Sequence, residues 1–171
     1  HALMQSEKDR REHQLVVQSI SEKLSLQGLK PRCSRKPQLA RHGKLLHLHT
    51  PITANSNNYS PLKLANALHP TPAVAGLPIR EAMAWLRTLE PFERGCYAAP
   101  IGWIDNFGDA EFRVAIRSGR TQGNLLELTA GAGLVKGSIA DKELKEVGLK
   151  LAVLADQLEL KTQYSANKAI T

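Results

Sequence analysis

The sequence predicts an α+β fold in which an antiparallel sheet is flanked by helices. Two long segments, 6–26 and 141–160, repeat apolar residues at helical spacing. Between them lie short segments of alternating apolar and polar residues, separated by glycine- and asparagine-containing turns. Strands joined by such short connections pair as antiparallel hairpins, and helices with one apolar stripe pack against them. A chain of 171 residues is long enough for one such domain with its own core.

The first helix is predicted over residues 6–26. Ser6 can accept a hydrogen bond from the first turn, and Asp9 stands three residues later as a weaker relative of the capping box. The apolar residues that would face the core are Val16, Ile20 and Leu24. The turn-rich segment 28–37 then leads to the strands.

Two strands are predicted next, over residues 38–41 and 45–53, joined around His42 and Gly43. In the second strand apolar residues alternate with His47 and His49, which therefore share a face. Two histidines on one face can bind a metal, but no third ligand is visible. A solvated or hydrogen-bonded pair is the favoured interpretation.

The remaining elements follow in order. They are a polar turn at 55–60, a short helix at 62–68, a proline- and glycine-containing segment at 69–78, a helix at 79–89, strands at 97–105, 111–118 and 125–129 with connections at 106–108 and 120–124, and a helix at 141–160. The apolar stripe of the last helix consists of Leu144, Val147, Leu151, Leu154 and Leu158. We expect residues 1–160 to form the domain and residues 161–171 a polar tail.

Composition excludes several classes of protein. The net charge is +7, but aromatic residues make up only 5% of the chain and do not interleave with the basic clusters, so nucleic-acid binding is not expected. No apolar run is long enough to span a membrane. Cys33 and Cys96 lie in no metal-binding motif, which indicates reduced thiols in the cytoplasm. A plastid is the expected alternative if the source is a plant.

One candidate anion site combines an arginine with a glycine-rich segment. Arg117 stands near the end of the predicted strand 111–118, where its guanidinium could bind a carboxylate with two hydrogen bonds. The sequence Ala-Gly-Ala-Gly at 130–133 follows a strand and can bring backbone N–H groups close to a ligand. Taken alone, the first pattern favours a surface arginine, and the second is weak evidence that a bulge or tight bend also explains.

A second candidate site is acidic. Glu143, Glu146 and Lys150 share one strip of the last predicted helix. Carboxylates at the edge of a buried face can bind a hard cation, whereas the alternative is a solvated Glu–Lys pair. Glu12, in the charged opening of the first helix, carries no local mark of a special role.

The segment Leu-His-Pro-Thr-Pro at 68–72 holds polar groups on a stiff backbone. Its two prolines restrict the chain to extended conformations. His69 and Thr71 could therefore line a pocket, or His69 could bond to the backbone of a structural turn.

Six motifs then occur in a fixed order: SEKDRREHQLVV, LHPTPAVAGLP, EPFERGCYAAPIGW, VAIRS, AGAGLVKGS and ELKEVGLK. Together they cover about residues 6–160, and their order resembles that of the chorismate-binding enzymes, which include anthranilate synthase component I. The form HPTPAV is similar to the isochorismate synthases within that family. The resemblance implies the family's α+β fold, a magnesium ion, and chorismate and isochorismate as substrate and product.

The resemblance also implies roles for individual residues. Glu12 and Glu146 match magnesium ligands, and Glu143 a group beside them. The substrate-binding residues that it implies are Tyr97, Arg117, Gly131, Ala132, Gly133 and Lys150, with His69 and Thr71 at the rim of the ring pocket.

In this family water adds at ring carbon 2 of chorismate and the hydroxyl at carbon 4 leaves, with a lysine as general base and a glutamate as general acid. Both groups belong upstream of the motif that contains Glu12, and neither motif is found here. We therefore expect only the C-terminal portion of the enzyme, inactive alone, with exposed edges where the N-terminal portion is missing.

Three points stay open at this stage. A related enzyme that makes salicylate, anthranilate or aminodeoxychorismate is one alternative, and a non-catalytic module that kept the fold is another. The downstream pathway, whether to a quinone, a siderophore or salicylate, does not follow from the sequence.

Overall fold

The computed structural model describes residues 2–42, 45–55 and 59–160. In chain order the elements are α1 (Ala2–Gln5), α2 (Glu7–Leu26), β1 (Arg32–Cys33), β2 (Gln38–His42), β3 (Leu45–His49), β4 (Ile52–Thr53), α3 (Pro61–Leu68), α4 (Pro72–Ala75), α5 (Ile79–Leu89), β5 (Pro100–Ile104), β6 (Ala110–Val114), β7 (Ser118–Gln122), β8 (Leu125–Thr129) and α6 (Ala140–Gln157). Helices combined with antiparallel strands confirm the predicted α+β class. The predicted turn residue Gly43 and the predicted tail 161–171 lie outside the described residues.

The strands of the described part form four separate two-stranded sheets. The antiparallel pairs are β1 with β4, β2 with β3, β5 with β6, and β7 with β8. The predicted sheet is thus present as hairpins, and no ladder between described residues joins one hairpin to the next. None of the helices in these ranges is long and apolar enough to cross a membrane.

The long helix α2 begins and packs as its sequence predicts. The Ser6 Oγ accepts a hydrogen bond from the Asp9 N–H at 3.3 Å, which satisfies one of the free donors of the first turn. Leu24, near the other end, is one of the few buried apolar residues. Because α2 contacts α3, α4 and β3, it is the element around which the N-terminal half is built.

The middle of the chain differs from the prediction at four places. The strand predicted at 97–105 begins only at Pro100, and the strand predicted at 111–118 ends at Val114. Arg117 therefore does not end a strand: it has a φ of 55° and lies in the turn between two hairpins. The predicted connection 120–124 belongs largely to β7, and the segment 69–78 contains the short helix α4.

The core of the described residues is small. Its buried apolar residues are Leu24, Ala75, Ala98 and Ala155. The predicted apolar stripe of α6 is wrong at both ends, because Leu144 is 64% exposed and Leu158 is 50% exposed. The buried residues of this helix are Ala155 and an acid, Glu143, which is 6% exposed.

A candidate cation and carboxylate site

Two carboxylates from opposite ends of the chain meet at one ammonium group. Glu12 lies on α2 and Glu143 in the first turn of α6. The Lys8 Nζ, one helical turn before Glu12, lies 3.7 Å from the Glu12 Oε1 and donates a hydrogen bond to the Glu143 Oε1. Sequence reasoning missed Lys8, although its spacing of four residues from Glu12 was a local signal that the two side chains meet.

The pKa values in this cluster reflect burial opposed by charge. Burial raises the pKa of Glu12, the Lys8 ammonium opposes that effect, and the charge of Glu146 adds to it. The hydrogen bond from Lys8 lowers the pKa of Glu143 and outweighs the opposite effect of burial. Burial lowers the pKa of Lys8, but the combined attraction of Glu143 and Glu12 leaves it raised.

Glu146 and Lys150 join this cluster to the backbone that follows β8. The Lys150 Nζ lies 2.6 Å from the Glu146 Oε1 and donates a hydrogen bond to the Gly131 carbonyl oxygen at 2.9 Å. Glu146 is one helical turn after Glu143, and its charge acts on Glu12 across the gap between α6 and α2. The structure thus brings the acids of the first and last long helices together.

The glycine segment after β8 runs close to two of the predicted site residues. A Cβ at Gly131 would lie 3.2 Å from the Tyr97 hydroxyl, and a Cβ at Gly133 would lie 3.5 Å from the Glu12 Oε2. The two glycines therefore place this backbone between Tyr97 on one side and Glu12 on the other, with Ala132 between them.

Arg117 and Tyr97 form the side of the site away from the acids. The charge of Arg117 acts on the Tyr97 hydroxyl, whose pKa is raised by burial and partly lowered by the neighbouring arginines. The left-handed conformation of Arg117 is uncommon for a residue with a side chain, and such conformations cluster at functional sites. Arg117 is half-buried rather than a free surface arginine.

Arg94 is a further residue that sequence reasoning missed. Its guanidinium lies 5.9 Å from the centre of the Tyr97 ring and binds the Glu90 carboxylate through two nitrogens, at 2.7 and 2.6 Å. It also donates a hydrogen bond to the Val74 carbonyl oxygen at 2.6 Å. Arg94 therefore holds Tyr97 and ties it to α4.

His69 and Thr71 lie in the segment between α3 and α4, and Thr71 caps α4. The Lys23 Nζ of α2 donates hydrogen bonds to the carbonyl oxygens on both sides of His69, at 2.9 Å for Leu68 and 2.7 Å for Pro70. Burial and the Lys23 charge both lower the pKa of His69, which keeps its imidazole neutral near pH 7. The connection of this segment to Tyr97 runs through Val74 and Arg94.

The acidic cluster fits a magnesium ion in its donor chemistry. Within residues 2–42, 45–55 and 59–160, no three His, Cys, Asp or Glu side chains converge closely enough to hold a metal by themselves, and this includes His47 and His49. Magnesium does not require such a cage, because it binds one or two carboxylates, several waters and oxygens of an anionic substrate. The Glu12 Oε1 and the Glu143 Oε2 are both buried and make no hydrogen bond, which leaves their lone pairs available to a cation, while Ser138 lies close enough to Glu143 to help lower its pKa.

Comparison with known proteins places this arrangement in one family. Residues 1–159 match the family of chorismate-binding enzymes. The chain is 42% identical over 158 residues to the salicylate biosynthesis isochorismate synthase of Pseudomonas aeruginosa, covering 92% of the chain and 33% of that protein. It is 39% identical over 153 residues to isochorismate synthase EntC of Escherichia coli, covering 89% of the chain and 39% of that protein.

A solved structure gives the same result. A crystal structure described as that of a 2,3-dihydroxybenzoate-specific isochorismate synthase, DhbC, from Bacillus anthracis superposes with a TM-score of 0.86 at 36% identity. The match covers 92% of this chain and 43% of that one, so the chain spans less than half the length of these relatives. A match along nearly its whole length, in sequence and in fold, shows that the chain belongs to the family of chorismate-binding enzymes.

Proposed function

We propose that this chain is the C-terminal portion of an isochorismate synthase, an isomerase that converts chorismate to isochorismate with Mg²⁺. The observation that carries the proposal is the meeting of Glu12 with Glu143 beside the Gly131–Gly133 backbone. Carboxylates that could bind a cation, next to a backbone segment that could bind an anion, would suit a dianionic substrate that binds together with a metal ion. The names of the most similar relatives support the same reaction.

The residues on the Arg117 side would bind one carboxylate of the substrate. The Arg117 guanidinium and the Tyr97 hydroxyl can donate hydrogen bonds to it, and the small residues 131–133 let the backbone approach closely. Lys150, held against the Gly131 carbonyl oxygen, adds a positive charge at this end. Together these groups would fix the orientation of the ring relative to the acids.

Glu12 and Glu146 would hold the magnesium ion, and Glu143 would support them from the buried side. When bound, the ion supplies positive charge that neutralises a substrate carboxylate and polarises the ring system. His69 and Thr71 would line the rim of the ring pocket, on a backbone that Lys23 fixes.

The residues that move protons in the reaction would come from outside this chain. We infer that the 171-residue chain alone forms no isochorismate, while the intact protein that carries it does. We further propose that the intact enzyme works in a bacterial cytoplasm; the relatives named above are bacterial and give no support to a plastid. The names of two relatives associate such enzymes with salicylate and 2,3-dihydroxybenzoate.

The test uses the intact protein, chorismate and chromatographic analysis of the products. Wild-type protein should form isochorismate only when Mg²⁺ is present. Glu12→Gln and Glu146→Ala should each lower the rate at least about 100-fold, the upper range seen for supporting residues of metal sites. Glu22→Gln is the matched control, because Glu22 is exposed on the same helix and accepts a hydrogen bond from Gln18 one turn before it.

Other products would change the assignment. Salicylate or an aminated product would identify a related enzyme of the same family. Absence of any chorismate turnover, together with absence of Mg²⁺-dependent chorismate binding in calorimetry, would leave a non-catalytic module that kept the fold.

A further inference from the structure

We propose that Lys8 is an internal counter-ion that competes with the divalent cation for Glu12 and Glu143. The inference rests on the proposed function, because it concerns the same cluster of acids. Lys8 would not be a ligand of the cation. It would lower the affinity for the cation by binding the carboxylates when the cation is absent.

The geometry places Lys8 between the two carboxylates. Its Nζ lies 3.7 Å from the Glu12 Oε1 and in hydrogen-bond contact with the Glu143 Oε1, a residue 135 positions away in the chain. The Glu143 side chain is 8% exposed, whereas that of Lys8 is 28% exposed. A buried carboxylate needs a partner, and without the cation Lys8 is the charged group that supplies it.

Lys8 satisfies this cluster only in part. The Glu143 Oε2, in a residue more than nine-tenths buried, makes no hydrogen bond, and neither does the Glu12 Oε1; Ser138 is the neutral group near Glu143 that also helps lower its pKa. The single charge of Lys8 is shared by two carboxylates, and the charge of Glu146 also acts on Glu12. The site therefore keeps an excess of negative charge that attracts a divalent ion.

The Lys8 ammonium group and a divalent ion do not favourably occupy the acidic cluster at the same time. A divalent ion held by Glu12 and Glu146, beside Glu143, would repel an ammonium group that contacts Glu12 and Glu143. Binding of the ion must therefore displace Lys8 toward solvent, and the attraction lost in that step reduces the affinity for the ion. By the same linkage, Lys8 stabilises the fold when no ion is present.

The test measures magnesium binding directly, with magnesium chloride alone as the probe, by calorimetry on the intact protein. Lys8→Met should lower the Mg²⁺ Kd about tenfold, the scale of one charge-assisted contact. It should also lower the Tm measured in a chelator and enlarge the upward shift of Tm that Mg²⁺ produces. A merely structural lysine would lower the Tm equally with and without Mg²⁺.

Two further variants keep the test decisive. Lys8→Gln keeps a hydrogen-bond donor for Glu143 without the charge, and should tighten Mg²⁺ binding even where Lys8→Met fails to fold. Lys142→Met is the matched control: it removes one charge from an exposed position next to Glu143, and should change the Kd less than about twofold.

The outcomes separate this inference from the proposed function. Tighter Mg²⁺ binding by the Lys8 variants supports the competition. Unchanged or weaker binding by both variants, in a protein whose wild type binds Mg²⁺, overturns the competition and leaves the proposed function standing. A wild-type protein that binds no Mg²⁺, with or without chorismate, overturns both.

Discussion

Among single residues, Gly131 has the least room for a side chain of all the predicted substrate-binding positions. A methyl group there would lie 3.2 Å from the Tyr97 hydroxyl, closer than an ordinary contact, so the half-buried ring would have to move by a few tenths of an ångström. Because positioning of a substrate carboxylate depends on such small distances, we expect Gly131→Ala to raise the KM for chorismate about tenfold in the intact enzyme. Steady-state kinetics with product detection measures the change.

Two variants control for this prediction. Gly133→Ala places its methyl 3.5 Å from the Glu12 Oε2, an ordinary contact distance, and should raise the KM much less. Tyr97→Phe removes the hydroxyl, so the added cost of Gly131→Ala should fall in the Tyr97→Phe background. Equal losses from Gly131→Ala in both backgrounds would assign the effect to the backbone and contradict the role of the hydroxyl.

The helix α2 acts as a unit that presents one polar stripe to the site. At about 100° per residue, Lys8, Glu12, Ser19 and Lys23 fall within about 60° of one another on its surface, together with Leu26 at the end of the helix. Ser19 is buried, Lys8 and Glu12 belong to the acidic cluster, and Lys23 holds the backbone around His69. One rigid helix therefore fixes the distance between the cation site and the predicted rim of the ring pocket.

Lys23 gives this element a direct test. Lys23→Met removes two charge-assisted hydrogen bonds, to Leu68 and Pro70, and we expect the free energy of unfolding to fall by about 1.5 kcal/mol. Because the Lys23 charge contributes to the lowered pKa of His69, the imidazole pKa should rise in the variant. Denaturant unfolding and NMR titration of His69 measure the two effects.

The control for Lys23 is Lys63→Met, at an exposed position on α3. It should leave both the stability and the His69 pKa unchanged. A loss of stability from Lys23→Met without any change at His69 would mean that Lys23 supports α2 packing alone and does not act on the ring pocket.

The elements also show how far local sequence signals reach. The capping residue Ser6 predicts the start of α2, and helical periodicity predicts α5. Both were predicted at their observed positions. β7 was missed because its five residues, Ser118–Gln122, are mostly polar and exposed, so they show no alternation and look like a connection. The turn at Arg117 was missed because no glycine or asparagine marks its left-handed conformation.

The candidate site was accessible from sequence only through the family resemblance. Glu12 and Glu143 look like ordinary acids on solvated helix faces, and their meeting depends on how α2 packs against α6. Lys8 and Arg94 act through contacts with residues that local patterns do not pair with them, Glu143 and the Tyr97 ring respectively. The burial and the charged neighbours of these residues decide their roles, and both depend on the fold rather than on the local sequence.

For the whole molecule, the decisive quantity is exposed surface. The chain exposes 13533 Å², whereas a compact monomer of 18.8 kDa would expose about 8,300 Å². Large apolar residues contribute to this excess, among them Ile101 at 56% and Trp103 at 54% exposed on β5. Isolated two-stranded hairpins are marginally stable in water, so we expect a covering partner for this surface.

The proposed remainder of the enzyme would supply that cover, which gives a prediction about the chain alone. The purified 171-residue chain should self-associate in light scattering and bind a hydrophobic dye, while the intact protein should do neither strongly. Replacing Ile101 and Trp103 together by serine should reduce association, because these residues share one face of an exposed hairpin. Leu26→Ser is the control, since Leu26 is 82% exposed at the end of α2 rather than on a strand. A monomeric chain that unfolds cooperatively and binds no dye would contradict the prediction, because its surface would then need no further strands.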